Sequence, residues 1–361
     1  MRKKFDEIFE DCTKLGTKIK TDEYHSNGKH PIIDQGQEMV AGFTDLEDGL
    51  LDAVPAIVFG DHTRIIKYVD CPFFLGADGV KVLRSKVPNA NYRYLYYALK
   101  NAKIPNTGYN RHYKWLKELE IEYPPIDQQV KTVKVLDKVE SIIYNRQNQL
   151  QKLDELVKAR FVEMFGGIHD SSLYPYVPVK ELTHVISGGT PSRDVLEYWC
   201  DGTIPWVKTT ELQNKIITEV DEHITSKGLA ASSAKIVPPN TTLIAMYGQG
   251  KTRGMTGYLG ISASTNQACA CILPSPEINS VYIWKYFELS YDKLRNMAKG
   301  GNQPNLNGNM IKNFPVLVPP IKRQEEYVQF VNQVDKSKVA VQKSLDEAQL
   351  LFDSLMQHYF G

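Results

Sequence analysis

The chain has 361 residues, of which 42% are hydrophobic and 24% charged, a composition typical of a globular protein long enough for two domains. Its formal net charge is +1, so binding to a polyanion must come from local patches rather than from a global field. No stretch approaches the roughly 18 apolar residues of a membrane span, which favours a cytoplasmic protein with no membrane partner.

The N-terminal segment resembles a stretch that occurs later in the chain. RKKFDEIF (residues 2–9) matches KARFVEMF (residues 158–165) at both phenylalanines and at the glutamate. The chain is therefore predicted to begin with the tail of a unit that it later repeats. That is typical of a circular arrangement, in which the N-terminus returns to the C-terminus.

The first globular segment combines a predicted hairpin with a basic, aromatic stretch. AVPAIVFGDHTRIIKYV, from residue 53, alternates apolar residues around the turn GDHTR, which predicts a β-hairpin. From Arg84 to Lys117 there are eight lysines and arginines, six tyrosines and Trp115, but no acidic residue. Within this stretch NYRYLYYALK (91–100) predicts an amphipathic helix. The following loop, TGYNRHYK (107–114), is the favoured DNA contact, because cations and planar side chains together suit a phosphate backbone.

Two long helices are predicted after the Pro-Pro pairs at 124–125 and 319–320. In each, apolar residues recur at alternating spacings of three and four, the seam of a coiled coil, and no proline or glycine follows until Gly166 and Gly361. Residues 110–166 align without a gap with residues 305–361, an offset of 195, so the helices are copies of one unit. Because a folded segment lies between them, they are predicted to pair antiparallel.

The second globular segment contains a counterpart of the hairpin. TTLIAMYGQGKTRGMTGYLGI, from residue 241, reads as strand, glycine-rich turn and strand. AMYGQGKT (245–252) also resembles the phosphate-binding loop of nucleotide hydrolases, but such a loop must open a helix, and the glycines that follow favour a strand. The tip, which bears Lys251, Thr252 and Arg253, is therefore predicted to hold DNA phosphates, and a solvated turn is the alternative interpretation.

Near the repeat offset from the basic loop lies KGGNQPNLNGN (299–309), rich in Asn and Gln, whose amides can read adenine bidentately. An ordinary Asn/Gly-rich turn is the alternative interpretation of this segment. The five cysteines contain no C-x-x-C pair and predict no metal site. Cys269 and Cys271 stand two apart in an apolar run, so they are predicted to face one buried side of a strand.

Several long segments resemble motifs of the specificity subunit of type I restriction-modification systems. The resemblance covers essentially the whole chain, and the helices that follow PPI-x-x-Q match that family as well. One departure concerns the first repeat unit, which is compact. It runs only from Phe5 to Phe161, whereas the second unit spans 195 residues. The matching segments are HPIIDQGQEMVAGFTD (30–45), AIVFGDHTRIIKYVDCPFFLGADGVKVL (56–83), SGGTPSRDVLEYW (187–199), GTIPWVKTTEL (202–212) and STNQACACILP (264–274).

The resemblance implies an α+β protein in which two α/β target-recognition domains are separated by two long antiparallel coiled-coil helices, in a pseudo-twofold circular repeat. The implied boundaries are 1–127 for the first recognition domain and 128–167 for the central spacer helix. The second recognition domain then spans 168–322, and the C-terminal spacer helix spans 323–361.

The resemblance also implies a non-catalytic, sequence-specific subunit that reads a bipartite target in double-stranded DNA. In similar proteins the helices dock two modification subunits, which carry S-adenosylmethionine and methylate adenine. ATP-dependent and Mg-dependent restriction subunits complete the type I site-specific deoxyribonuclease. No cofactor or metal is expected in this chain itself.

The candidate DNA contacts lie on loops of the two globular segments. Two other interpretations stay open: a coiled-coil scaffold without DNA specificity, and a nucleotide-driven enzyme that depends on Lys251. The candidate residues are Asp61, His62, Arg64, Arg111, His112 and Lys114 in the first segment, with Lys208, Thr209, Gln249, Lys251, Arg253, Asn302 and Gln303 in the second.

Overall fold

The chain forms short strands and short helices together with two 40-residue helices. The computed structural model of the protein describes residues 1–76, 78–108, 110–298 and 305–361. The chain forms two compact units: unit 1 comprises residues 1–148 and 342–361, and unit 2 comprises residues 149–341. Each unit therefore contains a part of both long helices.

Unit 1 begins with the N-terminal strand and includes the first part of one long helix. Its elements in chain order are β1 (Arg2–Lys4), α1 (Phe5–Ile8), β2 (Phe9–Asp11), β3 (His30–Ile33), β4 (Gly42–Thr44), β5 (Ala56–Gly60), β6 (Ile66–Val69), β7 (Phe74–Leu75), β8 (Val80–Ser85), α2 (Tyr92–Lys100), α3 (Tyr113–Lys117), β9 (Glu120–Glu122) and α4 (Ile126–Phe165).

Unit 2 follows within α4 and ends within the second long helix. Its elements are β10 (Tyr176–Pro178), α5 (Val179–Leu182), β11 (Val185–Ser187), β12 (Ile204–Val207), β13 (Lys215–Ile217), β14 (Glu222–Ile224), α6 (Ser226–Ala230), β15 (Thr242–Ala245), β16 (Thr256–Leu259), β17 (Ser264–Thr265), β18 (Cys269–Ile272), α7 (Ser280–Leu289), α8 (Tyr291–Met297), α9 (Gly308–Lys312), β19 (Pro315–Leu317) and α10 (Ile321–Phe360).

The two units share one strand order. Unit 1 has the sheets β2-β8-β5-β6 and β4-β3-β7, and unit 2 has β11-β18-β15-β16-β13 and β14-β12-β17. In each unit an outer antiparallel pair, β1 with β9 or β10 with β19, stands beside these sheets. Strand β13, parallel to β16, is an addition in unit 2. The shared order confirms the predicted repeat of two α/β domains.

Both predicted hairpins and the predicted amphipathic helix are confirmed. Strands β5 and β6 pair antiparallel around the first turn, and β15 and β16 do so around the second. Helix α2 buries Tyr94, Leu95 and Tyr97 in the core of unit 1. Alternation of apolar residues in the strands and the 3.6-residue period in the helix were sufficient to identify all three elements.

The long helices begin directly after the Pro-Pro pairs and end before glycine, as predicted. Proline suits the entry to a helix because its φ is already helical and its missing N–H would be unpaired there. At the end of α4, Gly166 adopts a φ of 80°, a left-handed conformation that glycine takes without the clash of a Cβ atom. At 1.5 Å per residue, each helix is roughly 60 Å long.

A glutamine four residues beyond each Pro-Pro pair explains the repeated PPI-x-x-Q motif. The Gln129 side-chain amide donates to Pro124 O at 2.8 Å, and the Gln324 amide donates to Pro319 O at 2.7 Å. Gln324 Oε1 also accepts from the N–H of Asn279, the residue that caps the start of α7. The motif therefore fixes the turn that leads into each long helix, and in unit 2 it also connects this turn to the start of α7.

Within each unit the segments of α4 and α10 run antiparallel. In unit 1, Thr132 shares a cavity with Tyr359, while Arg146 donates to Ser344 at 3.1 Å. In unit 2, Asp154 forms an ion pair with Lys338, while the rings of Phe161 and Tyr327 lie 5.5 Å apart. Residue numbers on α4 rise as those on α10 fall, which confirms the predicted direction of pairing.

Charged side chains tie a helix of each domain to a long helix. In unit 1, Arg93 on α2 donates to Asp137 at 2.6 Å and to Glu140 at 2.8 Å on α4. In unit 2, buried Lys285 on α7 lies 3.7 Å from Asp335 on α10. Glu140 and Asp335 occupy the same position of the 195-residue repeat, so an acid at this position of the long helix contacts a domain helix in both units.

The predicted third copy at the N-terminus is wrong. Arg2–Lys4 is a strand paired with Glu120–Glu122, and only Phe5–Ile8 is helical. The topological counterpart of this segment is Tyr176–Leu182, which forms β10 and α5, rather than the end of α4. The match arose because a pair of phenylalanines four apart packs at a ring distance of 5.0 Å in both places, although the backbones differ.

The two cysteines in β18 are buried on one face, as predicted, and both pack in one hydrophobic cluster. Burial raises the pKa of the Cys271 thiol to about 11, so it behaves as an apolar group at neutral pH. In the described ranges, no helix combines the length and the apolar character needed to cross a membrane.

A histidine after α4 makes the stability of unit 2 sensitive to acid. His169 lies edge-on to the rings of Tyr286 and Phe314, and burial, assisted by the charge of Lys293, lowers its pKa from 6.5 to about 4. Below pH 6.5 the unfolded chain binds a proton that the folded chain refuses, so stability is complete above pH 6.5 and falls as pH drops toward 4. We expect His169→Gln to flatten this pH dependence by about 1 to 2 kcal/mol in urea unfolding, less than the full shift would give because the imidazole is only partly buried.

Candidate nucleic-acid interface

In unit 1 the β5–β6 hairpin forms a tight tip at the end of the four-stranded sheet. The Arg64 N–H donates to Gly60 O at 2.7 Å, and the Gly60 N–H donates to Ile65 O at 2.8 Å. Arg64 has a φ of 62°, which is uncommon for a residue with a long side chain. Its guanidinium donates to Ile104 O at 3.3 Å, so the tip contacts the loop that follows α2.

Two predicted contact residues, Asp61 and His112, are buried and connect this tip to the segment that leads into α3. The His112 N–H donates to Asp61 O at 2.8 Å, its ring Nδ1 donates to the same oxygen at 2.9 Å, and the Tyr113 N–H donates to Asp61 Oδ1 at 2.7 Å. Asp61 is 4% exposed and His112 is fully buried. Their bonds therefore position the hairpin and the loop, and neither side chain is presented at the surface.

A third segment, the loop after β3, is fixed to the same tip by Gln35. Its Oε1 accepts from the His62 N–H at 3.2 Å, its Nε2 donates to Asp78 O at 2.9 Å, and its carbonyl accepts from the Thr63 hydroxyl at 2.6 Å. His62 is only partly buried. Gln35 thus gathers three loops at one edge of unit 1, a role that the sequence prediction missed.

Lys67 anchors this loop from beneath. Its ammonium is buried, donates to Glu38 O at 2.5 Å and lies 3.4 Å from Asp34 Oδ1. Burial lowers its pKa, although Asp34 acts in the opposite direction. The period-2 pattern of β6 was the available signal, since it places Lys67 on the same face as buried Val69.

Exposed cations surround the gathered loops of unit 1. Lys103, Arg111 and Lys114 are all exposed, and among the described residues no carboxylate lies within 4.0 Å of their charged groups. Arg111 acts on Asp78 only at longer range, where its charge adds to that of Lys18 in lowering the pKa of Asp78. These side chains retain the charge needed to contact phosphates.

In unit 2 the longer β15–β16 hairpin is held by α8. The Tyr291 hydroxyl donates to Lys251 O at 2.7 Å, and the Arg295 guanidinium donates to Arg253 O at 2.9 Å. Gly254 has a φ of 87°, and a Cβ there would lie 3.3 to 3.4 Å from both of these side chains. Gln249 and Lys251 are exposed at the tip. Tyr291 and Arg295 are positioning residues about 40 positions away in sequence, and the sequence carried no signal for their role.

The chain after Thr252 turns directly into strand β16 rather than into a helix. A nucleotide phosphate loop depends on the free N–H groups at the start of a helix, and this segment does not offer them. The predicted hairpin geometry is confirmed. AMYGQGKT resembles a nucleotide-binding loop in sequence but not in backbone structure.

Lys208 and Thr209 directly follow β12, and the charge of Lys208 is already paired within the chain. The Lys208 ammonium lies 2.9 Å from Glu222 and 3.5 Å from Asp221, and the hydrogen bond to Glu222 raises its pKa. Thr209 is partly buried. A phosphate contact by Lys208 would have to compete with these carboxylates.

The SGGTPSR…W…PWVK motifs build a stack next to Lys208. Arg193 lies 3.6 Å from the ring centre of Trp199 and 4.9 Å from that of Trp206, and it donates to Glu222 at 2.6 Å. Cation–π contacts of this kind favour a fixed guanidinium. These motif residues shape the domain, while Asn302 and Gln303, the remaining predicted contacts, lie outside the described residues.

Lys251→Ala is expected to weaken binding to every DNA sequence by about three- to fivefold and to reduce the slope of log affinity against log salt by about 1, as loss of one phosphate contact would. Fluorescence anisotropy with the chain in its assembled complex measures both quantities. Lys227→Ala, which removes an exposed lysine already paired with Glu197, is the matched control. Relaxed preference at a single base position would instead assign Lys251 to base reading.

Comparison with known proteins identifies similar chains over most of this length. A family model, the type I restriction modification DNA specificity domain, matches residues 1–155 and 173–348. The specificity subunit of the type I restriction enzyme EcoR124I/EcoR124II from Escherichia coli is 22% identical over 336 residues, 88% of this chain and 82% of that protein. The specificity subunit of MjaIX from Methanocaldococcus jannaschii is 27% identical over 165 residues, 44% of this chain and 37% of that protein.

Two solved structures share the fold. The S subunit of a type I restriction-modification system from M. genitalium matches with a TM-score of 0.60 at 17% identity, covering 100% of this chain and 96% of that one. A chain from a structure that concerns complex assembly and conformational transition of the type I R-M system matches with a TM-score of 0.55 at 15% identity, covering 100% and 97%. These likenesses bear on the architecture of the chain rather than on its contact residues.

Proposed function

The chain belongs to the type I restriction-modification DNA specificity family, and from that premise we propose that its two units each read one half of a bipartite DNA target. Specificity subunits of this family recognise DNA sequence and are not catalytic. In this proposal the two units recognise different halves of the target.

The observation that carries the proposal is the repeated arrangement of loops on a shared strand order. In unit 1 the β5–β6 hairpin lies against the segment that leads into α3, because the His112 N–H donates to Asp61 O. In unit 2 the β15–β16 hairpin is held by α8, and the Leu306 N–H, just before α9, donates to Met246 O at 3.0 Å. Each unit thus places a strand-borne tip beside a second segment of chain, an arrangement that supports the combination of phosphate and base contacts that specific recognition requires.

The sequences of the two tips differ, which supports different half-sites. Unit 1 offers GDHTR with Arg111 and Lys114 nearby, whereas unit 2 offers the longer YGQGKTR with exposed Gln249 and Lys251. Side chains with different donor and acceptor patterns select different base edges in the major groove. An asymmetric target is therefore expected.

We further infer that the long helices dock two modification subunits. Exposed apolar residues recur at the same positions of the 195-residue repeat: Tyr144 is 63% exposed and its counterpart Val339 is 71% exposed. Ile126 with Ile321, and Leu156 with Leu351, behave in the same way. Large apolar side chains left in water at matched positions favour two equivalent protein interfaces. The modification subunits would supply S-adenosylmethionine and the methyl transfer, and restriction subunits would supply ATP- and Mg-dependent cleavage.

The test is to map methylated adenines in DNA from cells that express this chain with its modification subunit. We expect one asymmetric motif made of two short halves separated by a fixed, non-specific spacer. Replacing residues 247–253 by a short glycine-serine turn should alter the half read by unit 2 and leave the other half unchanged. Absence of methylation that depends on this chain, or an undivided motif, would reject the proposal.

A coiled-coil scaffold without DNA specificity remains the second interpretation from the sequence. It predicts no salt-dependent DNA affinity, even with the modification subunit present. A binding titration at 50 and 200 mM salt distinguishes the two, because a protein that neutralises several phosphates loses affinity steeply over that range.

A further inference from the structure

Tyr247 lies where the β15–β16 hairpin leaves the core of unit 2. Met246, the residue before it, is buried; its N–H donates to Ala268 O at 2.8 Å, and its carbonyl accepts from the Leu306 N–H at 3.0 Å. Tyr247 itself is 41% exposed. The backbone is therefore fixed immediately before Tyr247, while a large part of this residue lies in solvent.

The same pair of hydrogen bonds exists in unit 1, at Asp61. Its N–H donates to the carbonyl that precedes β8 at 2.6 Å, and its own carbonyl accepts from the His112 N–H at 2.8 Å. Asp61 and Met246 therefore occupy equivalent positions, and so do the residues that follow them, His62 and Tyr247. Each unit thus places a planar side chain directly after the fixed point of its hairpin.

The Tyr247 side chain has no role within the described part of its own unit. None of the described residues forms a hydrogen bond, an ion pair or a ring contact with it. Other tyrosines of unit 2 are engaged: the Tyr258 hydroxyl donates to Asn240 at 2.9 Å, and the Tyr291 hydroxyl donates to Lys251 O at 2.7 Å. The exposed ring of Tyr247 is therefore available for contact with a ligand.

The surroundings of Tyr247 suit a DNA duplex. From residue 237 to residue 276 the sequence contains no Asp or Glu, and exposed Lys251 follows four positions later. A Cβ atom at Gly250 would have no described atom within 4 Å, so the tip projects away from the described part of unit 2. A two-stranded β-ribbon of this kind fits the major groove, where the base edges are accessible.

We propose that Tyr247 reads a thymine in the half-site of unit 2, by packing its ring on the 5-methyl group in the major groove. This inference rests on the proposed function and assigns one contact within it. The face of a phenol ring offers no strong hydrogen-bonding pattern, and the thymine methyl is the apolar feature that unmodified base pairs present in this groove. In unit 1 the equivalent His62 has ring nitrogens that can donate or accept, so the two units differ in chemistry at this position.

The test uses the assembled complex and the half-site of unit 2 that methylation mapping defines. Each thymine of that half-site, on either strand, is replaced in turn by deoxyuridine, which removes only the methyl group. We expect one of these replacements to weaken binding of the unmodified chain about fourfold, the loss that corresponds to burial of one methyl group. Tyr247→Ala should bind the thymine duplex about fourfold more weakly and should bind the two duplexes equally, so the two changes are not additive.

Two further variants distinguish the ring from other sources of discrimination. Tyr247→Phe keeps the ring and should still prefer the thymine duplex to the uracil duplex. Ile216→Ala removes an exposed apolar side chain from β13 of the same unit, and it should bind and discriminate as the unmodified chain does. Loss of the preference in Tyr247→Phe would assign the contact to the hydroxyl and overturn the ring contact.

Three other results would also overturn the assignment: a half-site of unit 2 without thymine, insensitivity of the unmodified chain to every uracil replacement, or an undiminished preference in Tyr247→Ala. Each of them leaves the proposed function standing, because mapping still gives an asymmetric motif with a half that unit 2 reads. Failure of the proposed function gives a different result, an undivided motif or no methylation that depends on this chain, and it rejects the thymine contact as well.

Discussion

Replacing Lys103, Arg111 and Lys114 together by alanine is expected to weaken DNA binding about 100-fold at 0.15 M salt. Lys103 and Arg111 are exposed on the chain that the β5–β6 hairpin contacts, and Lys114 is exposed in the first turn of α3. Within the described part of the chain no ion pair occupies these three cations. Each phosphate contact releases counterions and contributes roughly fivefold at this salt concentration, so three contacts contribute about two orders of magnitude. The salt slope should fall by about 2.7, at roughly 0.9 per contact.

A matched control separates local contacts from net charge. Alanine at Lys152, Lys158 and Lys336, three exposed lysines of the long helices, removes the same charge and should change affinity less than threefold. Anisotropy titrations of the assembled complex at several salt concentrations give both values. Equal losses in the two triple variants would indicate that binding responds to overall charge rather than to this loop.

Phe161→Ala is expected to lower the free energy of unfolding of unit 2 by about 4 kcal/mol. The Phe161 side chain is fully buried, with ring centres at 5.0 Å from Phe165, 5.5 Å from Tyr327 and 5.9 Å from Tyr286. Removal of a buried aromatic ring loses its transfer energy and leaves a cavity among rigid neighbours, which costs about 3 to 5 kcal/mol.

Urea unfolding followed by tryptophan fluorescence measures this loss, since Trp199, Trp206 and Trp284 all belong to unit 2. Val162→Ala, one residue further along α4 and exposed, should change stability by less than about 0.5 kcal/mol. A loss below 1 kcal/mol in Phe161→Ala would mean that the aromatic cluster repacks around the missing ring.

Regular patterns in the sequence were sufficient for the architecture. The spacing of apolar residues, the Pro-Pro pairs and the closing glycines defined both long helices to within about two residues of Ile126–Phe165 and Ile321–Phe360. Alternation defined both hairpins. These predictions succeeded because local periodicity and the fold agree in these segments.

The sequence-based predictions that failed concern features that are determined by contacts between residues distant in sequence. Asp61 and His112 carry the polar chemistry of contact residues, but 51 positions apart they satisfy each other in the interior. Eight residues at the N-terminus were too few to distinguish a helix end from a strand and a single turn, because phenylalanines spaced by four pack alike in both. The proposed contact residues themselves stay predictions until DNA binding is measured.

Unit 1 is formed by two separate segments of the chain, which affects how it folds during synthesis. Its core includes Phe352 and Met356, which pack with Tyr97, whereas unit 2 is one uninterrupted stretch of chain. Domains generally fold in the order in which the ribosome releases them. Here that order is inverted, because all residues of unit 2 are synthesised before unit 1 is complete. Residues 1–148 therefore keep part of their apolar surface exposed until the end of α10 leaves the ribosome.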